Sequence, residues 1–260
     1  MADSIILETQ NLRKDFGGLV AVSKVSLKVK AHSLHSIIGP NGAGKTTFFN
    51  LLSGSLKPTG GRVIFKGRDI TYLPAHRIAH LGLGRSFQIT NVFPTLTVLE
   101  NVRLAAQALG RDNFKFWRHY QHFTGYEQRA RRVVAQVGLD EQADMPARML
   151  PHGDKRKLEL GIMLAADPEL LLLDEPTAGM AREEIPLLIE VIEQIRSQGN
   201  KTIMLVEHKM DLVMNISDRI TVMHQGQVLA EGAPAEIAAN EVVQSAYLGK
   251  LYGNLSEVKS

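Results

Sequence analysis

Residues 39 to 47, Gly39-Pro40-Asn41-Gly42-Ala43-Gly44-Lys45-Thr46-Thr47, fit the spacing G-x-x-x-x-G-K-[ST]. This pattern binds phosphate. Its glycines let backbone N–H groups turn inward, its lysine reaches the β- and γ-phosphates, and its hydroxyl ligates Mg²⁺. Downstream, Asp174-Glu175 directly follows the apolar run Leu170–Leu173. A carboxylate at the carboxyl end of a parallel strand is placed to hold Mg²⁺, and its neighbour to reach an attacking water. His208 lies just past a second apolar run, Thr202–Val206, where it could contact a γ-phosphate. Gln88 offers a neutral amide for Mg²⁺ or water. Phe16, beside Gly17-Gly18, offers a ring to stack on a base. Leu150-Pro151-His152-Gly153-Asp154 opens a helical stretch to Ala166, and a helix start presents N–H donors to an anion.

Such groups need a scaffold that brings them together. Ser33–Ile38 reads as a strand entering the phosphate loop, and Thr47–Leu52 as the first turns of a helix leaving it. Ile5–Thr9, Val20–Val29 and Arg62–Phe65 read as strands, the second alternating as a half-exposed antiparallel strand does. From about Leu96 to Gly138 the pattern is helical. Val98, Val102, Ala105 and Ala106 share one face, and a second helix runs through Tyr126–Val134. Leu170–Leu173 and Thr202–Val206 read as buried strands. The helix between them carries the stripe Ile185, Leu188, Ile189, Ile192, Ile195, with Pro186 tolerated in its first turn. Strand, helix, strand predicts a parallel βαβ unit. Arg219–Met223 and Gln227–Ala230 predict a late hairpin around Gly226. The expected division is a nucleotide-binding core from residues 1–88 and 160–240, a helical subdomain at about 89–159, and a tail at about 241–260.

Composition removes several other classes. The 260 residues can bury a substantial core, and 44% hydrophobic with 22% charged residues is ordinary for a globular chain. A net charge of +3 is too weak to argue for nucleic acid. Without cysteine there is no disulfide framework and no thiolate metal site. No signal peptide is visible at Met1-Ala2-Asp3-Ser4, and no run approaches the roughly 18 apolar residues of a membrane span. Any membrane role is expected to come through a partner.

Phe16, the phosphate loop, Gln88, Leu150–Asp154, Asp174-Glu175 and His208 stand in the order of an ABC-type ATPase. They resemble its aromatic A-loop, Walker A, Q-loop, signature, Walker B and H-loop over nearly the whole chain. Within that family the chain is similar to the ATP-binding subunits of branched-chain amino acid importers, the LivG-like group. The carrying residues are Gly82–Gln88, Asn91–Val102, Asp174–Met180, the aromatic segment Phe114–Tyr126 and the Tyr247-Leu248-Gly249 ending. The resemblance implies an α/β phosphate-loop fold with an antiparallel β subdomain and an inserted helical subdomain.

It also implies cofactors, partners and roles. ATP and Mg²⁺ would be bound. A second ATP-binding subunit would pair head to tail, two transmembrane permease subunits would be driven, and a periplasmic or extracellular binding protein would act indirectly. The chain would sit peripherally at the cytoplasmic face of the plasma membrane, with no nucleic acid partner. Phe16 would stack on adenine, and Gly39, Pro40, Asn41, Gly42, Ala43, Gly44, Lys45, Thr46 and Thr47 would hold phosphates. Thr46, Gln88 and Asp174 would serve Mg²⁺, with Glu175 as general base and His208 as γ-phosphate sensor. Leu150, Pro151, His152, Gly153 and Asp154 would face the partner's ATP.

Two departures stand out. The signature usually reads L-S-G-G-Q, but its second place is Pro151, which has neither hydroxyl nor N–H. The D-loop often ends in Asp, and Ala181 stands there. An ATPase subunit for urea or amide uptake or for lipopolysaccharide export is the nearest alternative. A soluble ABC ATPase is disfavoured by the single module and the lack of cysteine and heptads.

Overall fold

The computed structural model describes residues 4–86, 92–108 and 124–245. Two sheets form its frame. Strands β1 (Ile5–Phe16), β2 (Leu19–Lys30), β4 (Gly60–Phe65) and β5 (Arg68–Asp69) make an antiparallel sheet ordered β2-β1-β4-β5. The second sheet runs β10-β9-β3-β8-β7-β6. It comprises β3 (Leu34–Ile38), β6 (Leu83–Arg85), β7 (Leu170–Asp174), β8 (Thr202–Val206), β9 (Arg219–His224) and β10 (Gln227–Gly232). All its neighbouring pairs are parallel except β9–β10.

The unbroken apolar runs of β7 and β8 follow from burial on both faces. Leu171, Leu173, Ile203 and Leu205 pack into one core. There they meet helices α3 (Val98–Ala108), α4 (Thr124–Gln136), α5 (His152–Ala165) and α6 (Ile185–Ser197). Leu170, Leu172, Met204 and Val206 point the other way, onto Phe48 and Phe49 of α1 (Lys45–Leu52) and the inner face of the antiparallel sheet. The period-2 alternation of strand side chains thus divides one run between two cores. The predicted stripe of α6 is buried at Leu188, Ile192 and Ile195, joined by Val191, with Ile185 and Ile189 only partly covered.

Several elements differ from the sequence expectation. β1 continues past Thr9 to Phe16, although Gln10, Asn11, Arg13 and Lys14 break the apolar alternation. Irregular pairing near Thr9/Leu12 and a left-handed backbone at Asn11 (φ 48°) let it do so. Short elements with weak periodicity also form: β6, α2 (Ala75–His80) and α7 (Met210–Ile216). The expected core boundary at residue 160 falls inside α5, which runs unbroken from the signature segment to the sheet. The start of the tail packs on the sheet. Val243 in α9 (Glu241–Val243) is buried with Ile237 of α8 (Pro234–Ala238), Ile220 and Val222. Among the described residues no helix is long and apolar enough to cross a membrane.

One buried titratable group lies in the strand that feeds the phosphate loop. His35 of β3 hydrogen-bonds Thr221 of β9 (Nε2 to Oγ1, 2.7 Å) and is paired in register with Arg219. Burial, with a smaller contribution from the Arg219 charge, pulls its pKa down to about 4. The folded chain therefore holds this histidine neutral while the unfolded chain would protonate it from about pH 6.5 downward. Stability from this source is complete above pH 6.5 and is lost as pH falls toward 4. Between pH 7 and 4.5 the loss should be about 2–3 kcal/mol. Urea unfolding at the two pH values should show it, with a smaller drop in His35→Gln.

Candidate nucleotide-binding and hydrolysis site

Three adjacent parallel strands deliver the predicted groups to one edge of the sheet. β3 ends at Ile38 and runs into Gly39, β8 ends at Val206 before Glu207 and His208, and β7 ends in Asp174 before Glu175. Since β3 pairs with β8 and β8 with β7, these groups meet at the carboxyl end of the sheet, where parallel sheets bind ligands. β6, next along, leads to Ser86. Gln88 lies outside the described residues, as do Phe114–Phe123 and the Tyr247-Leu248-Gly249 ending.

The phosphate loop is locked by backbone. Gly44 caps α1 in the left-handed region (φ 95°), and a Cβ there would lie 2.3 Å from the Ala21 carbonyl oxygen of β2. Gly226, in the β9–β10 turn (φ 76°), would bring a Cβ within 2.8 Å of the same oxygen. Its N–H donates to Ala43 O (3.0 Å), and its carbonyl accepts from Ser23 N–H (2.8 Å). No side chain caps α1 and no acid occupies its first turn, so its N–H groups face the loop's interior. Lys45 is buried there, its ammonium donating to Gly39 O (2.7 Å) and Pro40 O (3.1 Å). Burial lowers its pKa, and the nearby Glu175 and Asp174 carboxylates oppose that shift.

Asp174 is buried beside this loop. Its Oδ2 meets Arg85 (3.4 Å), whose guanidinium also reaches Asn50 (2.5 Å) and Ser53 (2.9 Å) at the end of α1. The backbone N–H of Asp174 donates to Ser86 Oγ (3.1 Å). Its Oδ1 is buried with no hydrogen-bond partner among the described residues. Burial raises the carboxyl's pKa, Arg85 pulls it back, and Glu175 adds to the rise. An orphaned buried carboxylate oxygen is the kind of ligand a hard cation takes up. Thr46 follows Lys45, whose charge and that of Asp174 act on each other, so the Thr46 hydroxyl and this carboxylate, a pair of oxygen donors, suit Mg²⁺.

Glu175 takes a left-handed backbone (φ 50°), and its N–H donates to Val206 O (2.9 Å). Its carboxylate meets His208 Nε2 at 2.6 Å, both side chains being about one-third exposed. Phe16 ends β1 opposite Leu19 and is 46% exposed, with the Lys14 ammonium 5.1 Å above its ring. The β1–β2 hairpin that carries it also supplies the Ala21 carbonyl against Gly44.

The signature segment is placed elsewhere. Leu150 is buried, Pro151 caps α5 without a side-chain hydrogen bond, and His152, Gly153 and Asp154 form the first turn. Gly153 N–H donates to Glu184 Oε1 (3.2 Å), and Asp154 pairs with Lys157 (3.1 Å). Among the described residues none of these hydrogen bonds reaches Gly39–Thr47. Two contributors had escaped the sequence reading, Arg85 and Glu207. Buried Glu207 accepts from Thr177 N–H (3.0 Å), Thr177 Oγ1 (2.7 Å) and its neighbour His208 N–H (3.1 Å). The one signal for it in the sequence was an acid where the apolar run Thr202–Val206 ends.

Fold and site together define a phosphate-loop ATPase cassette, one whose ATP hydrolysis is coupled to transport. The chain belongs to the ABC transporter family, whose profile matches residues 22–178. The profile of the branched-chain amino acid ATP-binding cassette transporter matches residues 227–251. The chain is 43% identical over 250 residues to the high-affinity branched-chain amino acid transport ATP-binding protein LivG of Salmonella typhimurium, covering 94% of this chain and 98% of that one. It is 42% identical over 253 residues to the corresponding protein BraF of Pseudomonas aeruginosa, with the same coverage. Among solved structures, the ADP conformation of MJ1267, an ATP-binding cassette of an ABC transporter, matches with a TM-score of 0.81 at 29% identity. That match covers 95% of this chain and 99% of that one.

Proposed function

We propose that this chain is the ATP-hydrolysing subunit of an importer of branched-chain or related amino acids, working at the cytoplasmic face of the membrane through two separate permease subunits. The observation that carries the reading is the meeting of Lys45, Asp174, Glu175 and His208 at the ends of β3, β7 and β8. The substrate class rests on the likeness to LivG and BraF and on the match over residues 227–251.

In this reading ATP lays its phosphates on the α1 N-terminus and the amides of Gly39–Thr47, and Phe16 stacks on adenine. Lys45 exchanges the Gly39 and Pro40 carbonyls for phosphate oxygens. Thr46, Gln88 and Asp174 would hold Mg²⁺, which would supply neutralising charge for the phosphoryl transfer. Glu175 takes a proton from water as the water oxygen bonds to the γ-phosphorus. The bond from that phosphorus to the bridging oxygen breaks, and ADP departs with its electron pair. His208 holds Glu175 in place and meets the γ-phosphate. Gly153 and Asp154 of the signature segment bond Glu184 and Lys157 and not their own phosphate loop, which supports a role for Leu150–Asp154 at the ATP of a second, head-to-tail subunit.

Co-purification of the chain with two permeases, and ATPase stimulation by a leucine-loaded binding protein, would support this function. Stimulation by a urea- or amide-loaded binding protein instead, or association with lipopolysaccharide export components, would overturn the substrate assignment.

Pro151 tests the signature half. Pro151→Ser would give α5 the side-chain cap it lacks, stabilising the helix start by about 0.5–2 kcal/mol. It would also restore one hydrogen bond toward a charged acceptor, worth about 1–3 kcal/mol. A higher melting temperature and faster turnover in the assembled transporter are expected. An unchanged rate would remove the segment from the partner's ATP site.

A further inference from the structure

Three consecutive residues at the end of β8 each hold part of the Glu175–Thr177 turn. Val206 O accepts the Glu175 N–H, Glu207 binds Thr177 twice, and His208 meets the Glu175 carboxylate. Glu207 is the buried member, 3% exposed. It makes no ion pair among the described residues, and its charge is balanced by three hydrogen bonds. One oxygen grips Thr177 through both N–H and O–H, while the other takes the His208 N–H. A buried carboxylate is costly unless so satisfied. Satisfied in this way it joins two loops rigidly, and these two loops carry Glu175 and His208. Glu175 also has a left-handed backbone (φ 50°), which a non-glycine residue keeps only where its surroundings enforce it.

We propose that Glu207 is a positioning residue for ATP hydrolysis: its carboxylate clamps Thr177 to the His208 backbone and thereby fixes the Glu175–His208 pair. The proposal rests on the reading of Glu175 as general base. Both Glu207 oxygens are taken up by Thr177 and the His208 N–H, so its loss is expected to fall on turnover and not on nucleotide affinity.

In Glu207→Gln an NH₂ replaces one accepting oxygen and faces an N–H or O–H donor. Turnover should drop about 10- to 100-fold, the scale expected when a reacting group is misplaced by about 1 Å. ATP affinity should stay within about threefold, separating the kcat effect from binding. Thr177→Val removes one of the gripping donors at nearly constant shape and should lower turnover less. Thr177→Ser keeps the hydroxyl and should restore the rate. Amide hydrogen exchange gives a readout independent of turnover. In Glu207→Gln the Thr177 and His208 amides should exchange about tenfold faster while those of β3 keep their protection.

Wild-type turnover in Glu207→Gln would overturn the proposal. So would a rate that falls only together with ATP affinity and β3 protection, or a Thr177→Ser protein as slow as Thr177→Val. If Glu207→Gln does not fold, the Thr177 pair decides. Full turnover in Glu175→Gln would sink the general-base reading by itself, while unaltered exchange at Thr177 and His208 would sink the clamp by itself.

Discussion

Glu175→Gln should bind ATP as the wild type does and hydrolyse it about 10²–10⁴-fold more slowly, the range general-base catalysis contributes. The substitution is nearly isosteric. It keeps the turn held by Val206 and Thr177 and leaves an amide beside His208 at the 2.6 Å contact, but that amide cannot take a proton from water. With closure reached and hydrolysis blocked, an ATP-bound dimer should accumulate. Size-exclusion chromatography with and without ATP, beside a phosphate-release assay, checks both halves. A chain that stays monomeric with ATP while the wild type turns over would show that Glu175 does not act at the step after closure.

Lys45→Ala should abolish measurable ATPase and weaken ATP binding by about 100-fold or more, since charge-assisted bonds to phosphate in a partly desolvated site are among the strongest polar contacts. The ammonium is buried and donates to two neutral carbonyls, Gly39 O and Pro40 O. Burial pulls its pKa down against the Glu175 and Asp174 carboxylates, and a phosphate would add opposite charge in direct contact. The same change removes two braces inside the loop. A fluorescent ATP analogue titrated into both proteins, with melting curves to verify folding, measures the effect. Affinity close to wild type would place the phosphates elsewhere.

The parts of this site legible in the sequence are those whose signal is local. The phosphate loop is a contiguous pattern. β7 and β8 are continuous apolar runs because both faces of each strand meet a core, and Asp174, Glu175 and His208 could be placed from where those runs stop. Arg85 joins Asn50 to Asp174, and Glu207 joins Thr177 to His208. Neither has periodicity or a nearby partner to mark it, since the strand order that makes these groups neighbours is set by the packing of the whole sheet. The extension of β1 to Phe16 was hidden for another reason. Arg13, Lys14 and Asp15 are polar and Phe16 is exposed, and backbone pairing with Leu19 and Val20, not side-chain burial, continues the strand.

The β9–β10 turn has a consequence for how this chain can be divided. Gly226 splices the phosphate loop to β2, accepting from Ser23 and donating to Ala43, with the Ala21 carbonyl wedged between it and Gly44. The nucleotide loop is therefore a keystone seated between the first quarter of the chain and its last. A chain cut before residue 226 would retain every phosphate-contacting residue and still lose the abutment that shapes their cradle. The 227–251 segment that marks the branched-chain type begins one residue beyond Gly226. Displacing Gly226 would therefore disturb Ala43 of the loop and Ser23 of β2 together.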